Sequence, residues 1–168
     1  MKSLKHIILL IVCAIGLTGC GAARMVPKYA TISNTPDLSK YRYVYIHPTT
    51  DKTSVSGGVY GGQYGVYGST SSKSINPADI VAGRFIKQGF TVVPEIDKTH
   101  AAQTVVVNIA ETGRKQYTIF AYSIEMTLQL LDASTYDLIC NVSAEGLGDT
   151  ETDDVRLAIT KCMDAILQ

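Results

Sequence analysis

The 168-residue chain is long enough for one folded domain and too short for two of ordinary size. Its apolar fraction of 46% and charged fraction of 18% are those of a chain that folds, which excludes wholesale disorder. The 15 basic and 15 acidic residues balance, so the sequence lacks the basic surface with which proteins bind nucleic acids. We therefore expect no nucleic-acid partner.

The first twenty residues have the parts of a secretory signal. Lys2 and Lys5 precede an apolar run over 7–17, which is about half of the ~20 residues that a spanning helix needs. The run ends at Leu17-Thr18-Gly19-Cys20, which resembles the lipobox of bacterial lipoproteins. The resemblance implies removal of residues 1–19 and acylation of Cys20, which attaches the chain firmly to a membrane. The alternatives are a plain cleaved signal and an uncleaved anchor.

Residues 20–40 are expected to form the lipidated cysteine and a flexible tether. The residue after Cys20 is Gly21 rather than aspartate. This resembles the signal that directs lipoproteins to the outer membrane in enterobacterial-type sorting. We therefore expect an outer-membrane lipoprotein that faces the periplasm. Pro27 and Pro36 lie in a stretch without sustained hydrophobic period, and a coil of this length has an r.m.s. reach of roughly 25 Å.

Residues 41–168 are predicted to form a single domain. Aromatic and β-branched residues over 41–46 indicate a strand, and the glycine-rich stretch 49–74 is predicted to be a long loop. Asn76 followed by proline has the form of a helix start, which predicts a helix over 77–88 and a strand over 90–93. A strand, a helix and a second strand in this order favour a parallel pairing of the two strands.

The second half of the domain has clearer periodicity. Apolar residues alternate with polar ones over 105–109, 122–130 and 138–144, which predicts three antiparallel strands with one buried face. The acids over 149–154 are interpreted as the charged start of a terminal helix, which buries one apolar stripe: Val155, Ala158, Ile159, Cys162 and Ile166. The predicted fold is therefore α+β, a two-layer sandwich of a mixed five-stranded sheet (β-α-β-β-β-α) with two helices on one face.

The order of these elements resembles a group of envelope lipoproteins. The segments that carry the resemblance read GFTVVPE, TVVVNIAETG and LQLLDASTYDLI, followed by the terminal helix. The group includes the penicillin-binding-protein activator lipoprotein, the curli secretion lipoprotein and the amino-terminal domain of the Tol–Pal propeller protein. The resemblance covers residues 41–168 and implies a protein that binds other envelope proteins or oligomerises. It implies no catalytic residue.

No set of residues with a recognised catalytic spacing occurs in the sequence. Ser72 stands before Lys73-Ser74 where a phosphate-binding P-loop needs glycine, and no zinc-ligand spacing is present. Past the signal, His47 and His100 are the remaining imidazoles. His47 is expected to cap the end of its strand or to be exposed, and His100 is expected to be exposed. We expect no enzyme, no metal and no cofactor.

The most distinctive segment alternates glycine with tyrosine and valine over 57–68. Glycine makes this segment costly to order alone, whereas tyrosine offers a large contact area with few torsions to fix. Tyr60, Tyr64 and Tyr67 are therefore the predicted partner-binding residues of a membrane-anchored, non-enzymatic adaptor. Two alternatives remain: a surface loop without a partner, and a structural subunit of an oligomeric envelope or secretion assembly in which the loop packs between protomers.

Two thiols remain in the mature chain besides Cys20. The strand and helix periods place Cys140 and Cys162 in the same layer between helix and sheet. A disulfide between them would close a loop of about 22 residues and contribute on the order of 3 kcal/mol. Two separate buried thiols satisfy the pattern equally well.

Overall fold

A computed structural model describes residues 26–62, 65–117 and 122–168, with the side chains of 56–69 outside the description. The strands are β1 (Thr31–Ile32), β2 (Tyr43–Ile46), β3 (Lys52–Gly62), β4 (Gly65–Ile75), β5 (Thr91–Val93), β6 (Thr104–Gln116), β7 (Tyr122–Asp132) and β8 (Leu138–Gly146). In these described ranges the helices are α1 (Pro77–Lys87) and α2 (Glu151–Ile166), with one 3-10 turn at Ala101–Gln103.

Within the described residues, the main sheet is mixed and has six strands in the order β1-β8-β7-β6-β2-β5. Strand β2 lies parallel to both β5 and β6, while β6, β7, β8 and β1 pair antiparallel. The predicted parallel pairing around α1 and the antiparallel meander are therefore confirmed, as is the α+β class. The sheet has six strands rather than the predicted five because residues 31–32 add an edge strand to β8.

The core lies between the sheet and the two helices. The predicted alternation is confirmed on β7 from residue 124 to residue 130, where the alternate apolar residues are buried and the residues between them are not. It is wrong at the start of the strand, where Tyr122 is exposed and Ser123 is buried. The helical stripes fall on the same side, since one cluster contains residues of β2, β6, β7, β8 and both helices. Fully burying a side chain such as Phe85 of α1 stabilises the fold by roughly 3 kcal/mol relative to exposure.

Both helices begin at a side-chain cap. Asn76 accepts a hydrogen bond from the backbone N–H of Ala78, and Thr150 accepts one from that of Asp153. Helix α1 ends before Gly89, whose φ of +88° is a conformation that glycine adopts without strain. The acids around 149–154 thus lie at the start of a helix, as the sequence predicts.

The structure corrects the prediction of a glycine-rich loop over 49–74. Residues 52–62 and 65–75 form the two 11-residue strands of a β-hairpin, in register from Lys52 opposite Ile75 to Gly62 opposite Gly65. Alternation of serine, glycine and tyrosine carries no hydrophobic period, so the strands escape detection by apolar pattern. The two strands are ordered by backbone hydrogen bonds between them rather than by a hydrophobic pattern of side chains.

The structure also corrects the predicted tether over 20–40. Cys20 lies outside the described residues, but from Val26 onward the chain is held against the domain. We call residues 26–40 the N-terminal strap. Strand β1 of the strap is only two residues long, which is too short for a recognisable period.

The sequence also assigns Leu138 to the buried face of its strand, and this assignment is wrong. The Leu138 side chain is 55% exposed, whereas Cys140 two residues later is fully buried. The pairing of β7 with β8 shifts register between Leu130 and Leu131, so Leu138 lies at the irregular start of the strand.

Candidate interaction site

The β3–β4 hairpin is the candidate interaction site, and the structure places two of its three predicted contact residues. The backbones of Tyr60 and Tyr67 are directly paired across the two strands. Tyr64 lies outside the described residues. We call residues 56–71 the arm of the hairpin, and residues 49–55 with 72–76 its root.

The arm is chemically unusual for a strand pair. Between Lys52 and Lys73 the sequence contains no charged residue and no proline. Within the described part of the chain, β3 and β4 form a two-stranded sheet of their own. Natural sheets protect open edges with lysine, proline or a covering element, and a lone hairpin is marginally stable in water. The arm therefore has the backbone groups and the composition of a strand pair that another chain can extend.

One amide side chain joins the two ends of the root. The Asn76 side-chain oxygen accepts hydrogen bonds from Ala78 N–H (2.9 Å) and from the Thr49 hydroxyl (2.6 Å). Its nitrogen donates to the Thr49 carbonyl (3.1 Å) and to the Asp51 carboxylate (2.9 Å). The same residue thus begins α1 and fixes where the hairpin leaves the domain.

Ion pairs hold the first strand of the root to β6. Lys52 Nζ lies 2.8 Å from Glu111 Oε2, and Arg114 Nε lies 2.5 Å from Glu111 Oε1. Arg114 also reaches Glu151 at the start of α2 (2.6 Å). The hydrogen bond from Arg114 and, after it, that from Lys52 lower the pKa of Glu111 below its ordinary value. The carboxylate is therefore charged at neutral pH and links hairpin, sheet and helix.

A second set of contacts ties the root to the first turn of α2. The Thr152 backbone N–H donates to Ser54 Oγ (2.9 Å), which gives one of the unpaired N–H groups of the helix start a partner. Lys73 Nζ lies 3.0 Å from Asp153 Oδ1. Hydrogen bonds from the Thr150 hydroxyl and then from Lys73 lower the pKa of Asp153. Both strands of the hairpin are thus fixed at one end.

Asp154 differs from the other acids of this turn because it is buried. Its side chain is 3% exposed, accepts a hydrogen bond from the Gly148 backbone N–H, and lines a cavity of about 90 Å³ beside Tyr122. Burial, followed by the neighbouring charges of Asp153 and Glu151, raises the pKa of Asp154 to about 6. The hydrogen bond from Gly148 acts in the opposite direction and is outweighed.

The N-terminal strap is attached to the domain at several points. Lys161 Nζ on α2 donates to the carbonyl oxygens of Pro27 and Glu145, both at 2.7 Å. Desolvation lowers the pKa of Lys161. At the other end of the strap, Lys40 Nζ (3.0 Å) and the hydroxyl of the following Tyr41 (2.8 Å) donate to Asp132 Oδ2.

The two thiols lie in one layer, as predicted, but are not bonded to each other in the structure. Cys140 and Cys162 are free, fully buried and members of the same core cluster. The Cys162 thiol donates to the Met126 carbonyl at 3.6 Å. Desolvation raises the pKa of Cys140 to about 11 and that of Cys162 to about 12, so both are uncharged thiols that pack as small apolar groups.

The two histidines are exposed, as the sequence predicts. His47 packs edge-on against Tyr45, and His100 lies against the ring of Tyr43. Within residues 26–62, 65–117 and 122–168, no group of three or more histidine, cysteine or acidic side chains is arranged to hold a metal ion. No helix in the described part of the chain is both long and apolar enough to cross a bilayer.

Comparison with known proteins yields a weak structural likeness. No protein-family model and no curated protein matches the chain. Among solved structures, a methionine-for-leucine variant of the PelC dodecamer from Paraburkholderia phytofirmans is similar at a TM-score of 0.47 and 12% identity, covering 81% of this chain and 94% of that one. A second PelC dodecamer from the same organism gives 0.43 and 13%, covering 82% and 95%. These scores establish neither a family nor a function for this chain.

Proposed function

We propose that the chain is a lipid-anchored protein of the bacterial outer membrane that faces the periplasm and binds another envelope component through its hairpin arm. The lipobox-like segment ending at Cys20 supports the anchor. One observation supports the binding role above all others: an uncharged arm of glycine, tyrosine and serine is held at its root by ion pairs and hydrogen bonds to the sheet and to both helices.

The design of the root favours a binding function over a catalytic one. The hairpin is held in position by hydrogen bonds from the side chains of Lys52, Lys73 and Asn76. A fixed root reduces the entropy that is lost when a partner orders the arm, and the tyrosines supply contact area. The arm is thus prepared for a partner that adds apolar contacts and strand hydrogen bonds.

The anchor is tested by Cys20→Ser. We expect the variant to lose its acyl mass and either leave the membrane fraction or accumulate as a precursor of higher mass. Palmitate incorporation that persists in the variant would contradict the anchor.

The arm is tested by crosslinking pull-down from native membranes with a shortened chain. Replacing residues 57–70 with Asn-Gly joins Ser56 to Ser71, which are directly paired, through a two-residue turn and leaves the root intact. We expect the melting temperature to stay within a few degrees and the crosslinked partner to be lost. Tyr60, Tyr64 and Tyr67 changed together to serine should weaken capture at least tenfold, whereas Tyr136→Ser, at an exposed tyrosine of the β7–β8 turn, should leave it unchanged.

A second candidate function is that of a structural subunit in an oligomeric envelope or secretion assembly. The composition of the arm favours it, because strands without charge or proline also pair with copies of themselves. Sizing of detergent-solubilised protein separates the two candidates. A discrete oligomer that the Asn-Gly replacement reduces to a monomer supports the subunit, and a monomer in both cases supports the adaptor.

A further inference from the structure

The strap places a particular corner of the domain next to the proposed anchor. Val26 is 9% exposed, and the carbonyl of the next residue, Pro27, is held by Lys161 of α2. Four residues further on, Thr31 pairs with Ser143 of β8. The chain is therefore fixed to the domain from Val26 onward rather than from residue 41.

The remaining link to Cys20 is short. Five residues separate Cys20 from Val26, and a fully extended chain of this length spans at most about 20 Å. A free tether over 20–40 would extend to about 70 Å by the same measure. A lipid on Cys20 would thus keep the corner formed by residues 26–29 close to the headgroups of the bilayer.

The side chains at this corner have the chemistry of a bilayer surface contact. Tyr29 is 75% exposed, and the neighbouring Lys28 Nζ lies 5.3 Å from the centre of its ring. Tyrosine is enriched at membrane interfaces because its ring is apolar and its hydroxyl is polar, and lysine is attracted to anionic lipid phosphates. Val26 is buried and the Lys161 ammonium is already bound to two carbonyls. Pro27, Lys28 and Tyr29 are exposed, and of these Lys28 and Tyr29 carry a polar group that can bind a headgroup.

We propose that Lys28 and Tyr29 contact phospholipid headgroups and thereby orient the domain on the membrane. The inference rests on the proposed acylation of Cys20 and adds a defined orientation to it. The β8 end near Glu145 lies towards the bilayer, and the opposite end of that strand, at Leu138, lies away from it. The two ends are about 23 Å apart, from seven residues of strand.

The absence of tryptophan from the sequence allows a direct test. Tyr29→Trp introduces a single indole at the proposed contact, and Tyr136→Trp introduces one in the turn that precedes Leu138. Tyr136 is 63% exposed and is the matched control. The full acylated chain is reconstituted in vesicles of phosphatidylethanolamine and phosphatidylglycerol that carry a headgroup-attached spin label, and the quenching of indole fluorescence is measured.

We expect quenching at position 29 to exceed that at position 136 at least threefold, and Lys28→Glu to reduce it at least twofold. Equal quenching at both positions in acylated protein would overturn the headgroup contact and leave the anchor standing. A blue-shifted indole at position 29 that headgroup labels do not reach would show a protein occupant and would also overturn the contact. Intact mass measured on the same samples reports acylation separately, and its absence would overturn anchor and contact together.

Discussion

Replacing the buried Asp154 with asparagine should stabilise the protein at neutral pH. The ordinary pKa of this carboxyl is 3.8, and burial raises it to about 6 in the folded chain. The folded state therefore binds this proton more tightly than the unfolded state, so the contribution of Asp154 to stability is greatest below pH 4 and is lost as the pH rises through 6. Asparagine has the same shape, can still accept the hydrogen bond from Gly148, and carries no charge to desolvate.

The size of the effect follows from the two pKa values. Their difference corresponds to at most about 3 kcal/mol at pH 7, and relaxation around a group that borders a cavity reduces this to about 1–2 kcal/mol. Asp154→Asn and the parent chain should therefore be equally stable below about pH 4, diverge by that amount as the pH rises from 4 to 6, and keep a constant difference above pH 6.

Chemical denaturation followed by circular dichroism at several pH values measures this divergence. Asp149→Asn, which removes an exposed carboxylate of the same turn, is the control and should change stability by less than about 0.5 kcal/mol. The reasoning would be refuted if the free energies of unfolding of the parent and of Asp154→Asn differed by a constant amount from pH 4 to 7, or if the variant were less stable than the parent at pH 7. Either result would show that burial does not dominate the pKa of Asp154.

Three further predictions concern the packing of the domain. Gly146→Ala should prevent folding or destabilise the domain by more than about 3 kcal/mol, because a β-carbon there would overlap the Asp154 carbonyl oxygen and lie 2.7 Å from Ala158 N. Gly83→Ala should stabilise the domain by about 1 kcal/mol, because the space around Gly83 in α1 is open. Thermal melts compare the two variants. Asn76→Ala should lower the free energy of unfolding by about 1–2 kcal/mol in the same melts, because the links to the Thr49 carbonyl and to Asp51 are lost. Part of the helix cap remains, since Thr49 Oγ1 lies 3.0 Å from Ala78 N. An unchanged melting temperature would contradict the role of Asn76 in the root. Thiol titration of denatured, unreduced protein should find Cys140 and Cys162 both free, and failure of either to react would contradict the unbonded arrangement.

The sequence predicts the elements whose burial follows a period. Strand β7 and helix α2 bury one face each, so alternation and helical spacing identify them to within two residues. Asn76 and Pro77 likewise mark the start of α1 through local hydrogen-bonding chemistry. These features depend on interactions between residues that are close in sequence, so they can be predicted from a single sequence.

The hairpin and the strap depend instead on partners far away in the chain. The sequence of strand β3 has no sustained hydrophobic period. Its order comes from pairing with β4 and from contacts such as Ser54 with Thr152, which is 98 residues distant. Strand β1 has two residues, and its position is decided by β8 and by Lys161. A hydrophobic period therefore does not predict an element whose position depends on contacts with distant residues rather than on burying an apolar face of its own.

The pairing of the strap with β8 also sets when the domain can be completed. Thr31 is among the first residues of the described chain to be synthesised, yet its neighbour in the sheet is Ser143. Contacts this far apart in sequence form late, because the intervening chain must first be present and brought together. The sheet therefore cannot be completed at its β1 edge until β8 has been synthesised, and the strap has no strand partner before then.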